Sequence, residues 1–409
     1  MSRIATIAPV TPVAARRVAT RVSVSALMLL LTGGLTACHP VDIKRADPMR
    51  AVPRDPLGEA RLSLKWKWIS ADRLSEIAPQ EFAAPVVSGD TVFVGSAGGQ
   101  FVALRAANGA IRWRKQFGPV GAPAAIDRGL LYVGTSDGLL ICVEANTGVE
   151  RWRYVSRGAV DQAPVITGET VVFANEGDQV IALDALKGTF KWQYKTETPD
   201  ATVLRGHAGI AVDGDLLYTG FSNGNLVALR RDTGTVAWLT SLKAEADQFF
   251  DVDATPRVLG DTLYATSASG GVYAIDKTTG LVKWRTPLWD VAMPTLSGNV
   301  GGLVTDGKAL YVSVAELGNY KLDLAGNVLW RVGASGGGEP AAPLLPSGDP
   351  DIVLFTLAKD GLFIADKKSG EILEFFDPGD GVSNAPAVTS DGRLFTMSNR
   401  GILYAFDLD

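Results

Sequence analysis

Ala274-Ile275-Asp276-Lys277-Thr278-Thr279-Gly280-Leu281-Val282-Lys283-Trp284 carries, in eleven residues, the end of one strand, a reversal and the start of the next. An alternating run gives way to a polar turn. A glycine closes that turn, where it can take φ > 0, and tryptophan follows four residues later. The same phrase recurs as Gly109/Trp113, Gly148/Trp152, Gly188/Trp192, Gly234/Trp238 and Gly326/Trp330. Counting Gly280 in its place, the glycines lie 39, 40, 46, 46 and 46 residues apart. A period of about 40–45 residues with one such hairpin per unit marks a propeller blade per repeat.

Outward from the hairpin, one full unit reads as four short strands. Ala163-Pro164-Val165-Ile166 opens the first, with proline at a strand start where its missing N–H is tolerated. Thr170 to Ala174, Gln179 to Asp184 and Thr189 to Tyr194 follow, separated by Thr167-Gly168-Glu169, Gly177-Asp178 and Lys187-Gly188. The small-residue–proline opening returns at Ala84-Pro85, Ala122-Pro123, Thr255-Pro256, Ala342-Pro343 and Ala385-Pro386, and Ile210 and Gly302 stand in its place in the other two units. That makes eight openings. In the seventh unit Gly370 is followed at the fourth place by Glu374 instead of tryptophan, with Phe375 and Phe376 beyond. The eighth unit ends at Leu408-Asp409 without a fourth strand, which would leave an open edge at the seam. Leu62-Ser63-Leu64-Lys65-Trp66-Lys67-Trp68 has the composition to supply it. The fold expected is therefore all-β, an eight-bladed β-propeller of four-stranded blades closed by an N-terminal strand, with Trp66 or Trp68 in the repeat position.

Composition agrees: 46% hydrophobic residues, 45 glycines and 21 prolines suit many short strands joined by tight turns. The formal charge is −5. Residues 1–37 contribute Arg3, Arg16, Arg17 and Arg21 and no acid, so the remainder carries −9. An acidic body is poorly suited to nucleic acid or anionic lipid, which call for clustered Lys and Arg. The first residues read as an export segment. Arginines precede an apolar run from Val22 to Leu31, too short to be read as a membrane span, and Leu35-Thr36-Ala37-Cys38 follows. That box resembles the lipobox of bacterial lipoproteins, in which the cysteine becomes the acylated first residue, and His39 in place of Asp favours the outer membrane. The organisation expected is a signal peptide over 1–37, an acylated tether over 38–61 with Pro48, Pro53 and Pro56, and a propeller over 62–409 on the periplasmic face. The other cysteine, Cys142, falls where sister units have Ala103, Ala182, Ala228 and Ala274, and reads as packing.

The units are unequal in one respect. The tryptophan-to-opening distance is 10 residues after Trp113 and 12 after Trp152, then 18 after each of Trp192, Trp238 and Trp284. Equivalent connections share a face, so three long ones in a row would raise a contiguous rim, and loops on a rigid scaffold carry function. The first holds Val203-Leu204-Arg205-Gly206-His207 and the second Phe249-Phe250-Asp251-Val252-Asp253, apolar groups beside charges in the manner of interface anchors.

Catalytic patterns are scarce. His39 and His207 are the only histidines, and no metalloprotease helix motif, nucleophile elbow or phosphate loop occurs. Asp178, Asp184 and Asp276 sit in reversals, where aspartate commonly fixes turns.

The Asp276-to-Trp284 phrase resembles the tryptophan-docking repeat of pyrroloquinoline-quinone (PQQ) dehydrogenases and their relatives, over roughly residues 66–409. Those enzymes carry a vicinal cysteine pair, and this chain has none. Lipobox, tether and bare propeller together resemble the BamB-type lipoproteins of the outer-membrane β-barrel assembly machinery. That resemblance implies a non-catalytic lipoprotein without cofactor or metal, binding periplasmic domains of the central barrel subunit and assisting the folding and insertion of outer-membrane proteins. The family's Leu-x-Leu-Arg-Gly segment resembles Thr202-Val203-Leu204-Arg205-Gly206, and its Asp-Val-Asp-x-x-Pro segment resembles residues 251–256. The resemblance thus implies Cys38 as the lipidation site and Leu204, Arg205, Asp251 and Asp253 as partner-binding residues. A PQQ-type dehydrogenase and a ligand- or glycan-binding propeller are the competing readings.

Overall fold

The computed structural model describes residues 61–70, 80–197, 208–243, 251–252, 254–268, 271–288, 300–315, 317–332 and 341–408. Every regular element among them is a β-strand, and the strands assemble into eight antiparallel sheets. Six sheets are built from consecutive strands within residues 86–116, 125–155, 165–195, 211–241, 257–286 and 300–332, blades one to six. Blade seven pairs the strands Ile352–Leu357, Gly361–Asp366 and Ile372–Phe376, and its innermost strand shrinks to a bridge between Leu344 and Leu354. Blade eight takes three strands from the C-terminal end and its outermost, Leu62–Ile69, from the N-terminal end. The expected closing strand is thus in place, antiparallel to Ile402–Leu408.

The core lies between the sheets. The middle strands of each blade are buried on both faces, as in Val171-Val172-Phe173-Ala174 and Val180-Ile181-Ala182-Leu183, so they read as continuous apolar runs. Outer strands alternate, as in Phe190-Lys191-Trp192-Gln193-Tyr194-Lys195, where the tryptophan is buried and the residues beside it are exposed. Each outer strand from blade one to blade seven slips register by one residue just N-terminal to the tryptophan position, for example between Ala182 and Leu183. A bulge of this kind re-aims the side chain beside it.

That side chain fastens each blade to the next. The indole N–H of Trp113 donates to the Ala145 carbonyl at 2.8 Å, that of Trp192 to Arg231 at 3.0 Å and that of Trp238 to Lys277 at 2.9 Å. Trp152, Trp284 and Trp330 reach Ala185, Leu324 and Lys367 in the same way. The ring lies flat on the glycine of the neighbour's turn, so a Cβ on Gly148 would stand 2.7 Å from Trp113 and one on Gly280 2.7 Å from Trp238. Of the two tryptophans in the closing strand, Trp66 takes this role: it donates to Ala106 at 3.0 Å and packs on Gly109. A small partner faces the indole across the strand pair, Ala182 opposite Trp192 and Cys142 opposite Trp152, which accounts for the alanines at that place. Cys142 is fully buried, and burial pushes its thiol up to about 12.

Glu374 acquires a reason at the same time. A tryptophan there would dock on the turn between the third and fourth strands of blade eight, but no turn joins them, since the third ends at Leu408 and the fourth begins opposite it at Leu62. Glu374 instead accepts the Leu62 backbone N–H at 3.0 Å, Arg61 pairs with Asp349 at 3.3 Å, and Phe376 packs edge-on against Tyr404 and Phe406. The seam is held by side chains at the place where the repeat's own device has no receiver.

Candidate functional site

The long connections leave blades three, four and five, and their roots are firmly held. Thr196 donates its N–H to Asp178 at 3.2 Å, and Asn223 of blade four donates to the Thr196 hydroxyl at 2.8 Å and the Glu197 carbonyl at 3.1 Å. The chain returns at Ala208, which is fully buried and whose carbonyl accepts the Thr219 hydroxyl. The second connection departs through Leu242, which donates to Gly224 at 2.9 Å and accepts the Tyr273 hydroxyl at 2.8 Å. It returns at Asp251 and Val252. The third leaves past Leu288, which is 5% exposed and packed into the core of blades five and six.

Cys38, Leu204, Arg205 and Asp253 lie outside the described residues, as does His207. Asp251 is described, and it is buried, with 1% of its surface exposed. Its carbonyl accepts the Ala268 N–H at 2.8 Å, and Val252 donates to Phe221 at 3.2 Å. Both bonds belong to the repeat. Pro119, Ala159 and Gly381 accept from Ser136, Glu176 and Asn399 in the same way, and Val120, Val160 and Val382 repeat Val252. The valine and the proline of residues 251–256 are therefore scaffold, Asp161 follows Val160 in blade three as Asp253 follows Val252, and the carboxylate at 251 is what the segment adds. Asp251 stands where other blades carry proline, alanine or glycine. The Asp251 side chain thus lies inside the fold at a loop root.

Asp178 is the residue on this face that sequence reasoning passed over as a turn former. It occupies the left-handed position before the third strand, φ 53°, where sister blades have Gly99, Gly138, Gly224 and Gly401. It is 2% exposed. One carboxylate oxygen accepts the Ser222 N–H at 3.1 Å, the other accepts the Ser222 hydroxyl, and its own carbonyl receives Thr196. A non-glycine residue held at positive φ costs about 1–3 kcal/mol and persists where its surroundings over-determine it. Here one side chain joins the turn of blade three, the root of the first long connection and the turn of blade four. Aligning the repeats on that glycine would have exposed it.

Among the described residues no group of three or more His, Cys, Asp or Glu could hold a metal ion, and Cys142 is enclosed in the core. What the arrangement offers is three consecutive loop roots, at Thr196, Leu242 and Leu288, each held by the blades beside it.

These features define a class, the eight-bladed propellers of tryptophan-docked repeats. Residues 65–123 and 116–320 match the family described as "Outer membrane protein assembly factor BamB", and the chain belongs to that family. It is 27% identical over 179 residues to the outer membrane protein assembly factor BamB of Burkholderia pseudomallei (strain K96243), a stretch covering 42% of this chain and 47% of that protein. It is 29% identical over 153 residues to the quinoprotein alcohol dehydrogenase PedH of Pseudomonas putida, covering 36% of this chain and 25% of the enzyme. The chain thus spans about half the length, or less, of these relatives. Among solved structures, that of BamB from Moraxella catarrhalis superposes with a TM-score of 0.69 at 22% identity, over 85% of this chain and 99% of that one.

Proposed function

We propose that this chain is a lipid-anchored, non-catalytic component of an outer-membrane β-barrel assembly complex, docking on periplasmic domains of the central barrel subunit. The observation that carries the reading is the family match over residues 65–123 and 116–320, which runs through the blades that bear the three long connections. Cys38 would be the acylated residue, holding the propeller at the periplasmic face of the outer membrane through a tether. Leu204 and Arg205 would meet the partner directly. An arginine fork pairs well with a carboxylate or with backbone carbonyls, and leucine fills an apolar recess. Asp251 and Asp253 would complete the partner-binding set, accepting hydrogen bonds or holding Arg205, and the burial of Asp251 supports the second role for it.

The test is capture from detergent-solubilised envelopes with the full acylated chain, with Arg205→Glu in parallel. If the wild type recovers the central barrel subunit and the variant does not, both role and site are supported. Equal recovery moves the site, and no recovery from envelopes that contain the subunit refutes the role. The similarity to PedH supports a second reading, a quinone-dependent dehydrogenase. Alcohol-dependent dye reduction on adding PQQ and calcium would favour it.

A further inference from the structure

The repeat asks for one tryptophan in each outer strand, and the closing strand supplies it in Trp66. Trp68 is surplus, half-buried between blades eight and one. Leu64 and Ile69 beside it are 53% and 47% exposed, and Lys65 and Lys67 stand out between them. The neighbouring outer strand, Ile111–Gln116, adds Arg112, Arg114 and Lys115. Trp113 turns toward blade two, so Arg112 and Arg114, on the other face of that strand, point to the closing strand. Counting Arg61, the two strands carry six cations and no acid, in a chain whose formal charge is −5. The outer strand of blade four has no charge, and that of blade seven carries Glu374. Arg61, Lys65 and Arg112 pair with Asp349, Asp407 and Asp90. Lys67, Arg114 and Lys115 are exposed and make no ion pair among the described residues.

We infer that this flank, the closing strand with the outer strand of blade one, rests on an anionic phospholipid surface. Lysine and arginine meet lipid phosphates, leucine and isoleucine enter the boundary beneath them, and a tryptophan packed on one side only sits at headgroup level. The course of the chain is the second argument. Leu62 opens the flank and directly follows the tether of residues 38–61, so acyl chains on Cys38 are joined to the propeller here. The inference rests on that acylation. The 24 residues of the tether, fully extended, reach about 80 Å, so the tether alone leaves the propeller free to turn at the membrane. The flank decides which side turns inward. Its cations are drawn to anionic lipid, while the acidic remainder of the body is repelled. Blade five, across the ring of eight from blade one, then faces away. This goes beyond the docking role and uses none of its loops.

The test places the full acylated chain in vesicles of phosphatidylethanolamine and phosphatidylglycerol that contain a lipid with a nitroxide headgroup. A fluorophore is attached through Leu64→Cys or, across the ring, through Leu281→Cys, both exposed positions, while the fully buried Cys142 stays unlabelled. At low salt, quenching at position 64 should exceed that at 281 by roughly threefold or more. The excess should vanish at about 1 M salt, where charges are screened within about 3 Å. It should vanish also in vesicles of phosphatidylcholine with the same quencher, and in the chain with Lys67→Gln, Arg114→Gln and Lys115→Gln. Equal quenching at the two positions in the phosphatidylglycerol vesicles overturns the proposal. So does an excess at 64 that survives both salt and charge removal, since nearness to the tether then accounts for it. The triple variant should capture the central barrel subunit as the wild type does, and loss of that capture gives the flank to an acidic protein surface instead. A wild-type chain that does not float with the vesicles refutes acylation of Cys38 and this proposal with it. One that floats but shows no excess refutes this proposal alone.

Discussion

Gly280 and Gly260 allow the tryptophan-docking account to be weighed inside one blade. Both take positive φ, 76° and 57°, so alanine at either position bears the left-handed penalty of about 1–2 kcal/mol. Their surroundings differ. A Cβ at Gly260 meets nothing within 4 Å, whereas one at Gly280 would lie 2.7 Å from the indole of Trp238 and 2.7 Å from the Thr240 hydroxyl. Neither neighbour can give way cheaply. The indole is held by its bond to Lys277 and the hydroxyl by its bond to the Gly280 carbonyl. Overpacking a fixed contact costs typically about 1–3 kcal/mol, so Gly280→Ala should destabilise by about 2–5 kcal/mol and Gly260→Ala by about 1–2 kcal/mol. Denaturant titration followed by tryptophan fluorescence gives both values, provided the slope with denaturant is unchanged. The difference between the variants, about 1–3 kcal/mol, isolates the indole contact from backbone strain. Equal losses would refute the claim that the glycine is there to receive the neighbour's tryptophan.

Three further outcomes follow from the same geometry. Asp178→Ala keeps the unfavourable φ and removes both bonds to Ser222, so it should destabilise by about 2–4 kcal/mol, and hydrogen exchange should quicken at Ser222 and Thr196 before the rest of the ring. Glu374→Ala leaves the Leu62 N–H without its acceptor at the seam and should cost about 1–2 kcal/mol, read as earlier proteolysis of the N-terminal strand than of any blade. Asp306 gives a pH signature. Burial pushes its carboxyl up, but the N–H groups of Lys308 and Ala309 and the Lys367 ammonium at 3.1 Å outweigh this and hold it down to about 2. A carboxyl lowered on folding contributes stability in full above its ordinary range. That contribution, about 2 kcal/mol here, should be lost as pH falls from about 4 to about 2 and should be missing in Asp306→Asn.

Much of the fold was legible because the repeat is written in residues with one physical task each. Glycine at positive φ, tryptophan four places on and proline at strand starts set the period, and the missing fourth strand pointed to Leu62–Ile69. The choice between Trp66 and Trp68 was not legible, since it depends on a register slip between Leu64 and Trp66 that alternation alone does not reveal. Blade seven's first strand also reads like the others in sequence, yet only Leu344 pairs there. The candidate site was less visible. Residues 251–256 mix scaffold with signal, and only comparison with Val120, Val160 and Val382 separates Asp251 from the repeat that carries it. Asp178 looked like an ordinary turn residue because its partner, Ser222, lies 44 residues away in the next blade.

The central claim is that the connections raised by blades three to five form a docking surface for the periplasmic domains of a central barrel subunit. Calorimetric titration of those purified domains into the full acylated chain measures it most directly. The account predicts saturable binding at one site, lost in Arg205→Glu and preserved in Gly260→Ala, whose change faces open space in a turn of blade five. No heat of binding with the wild type, or an unchanged isotherm with Arg205→Glu in a chain that still unfolds at the wild-type midpoint, would contradict it.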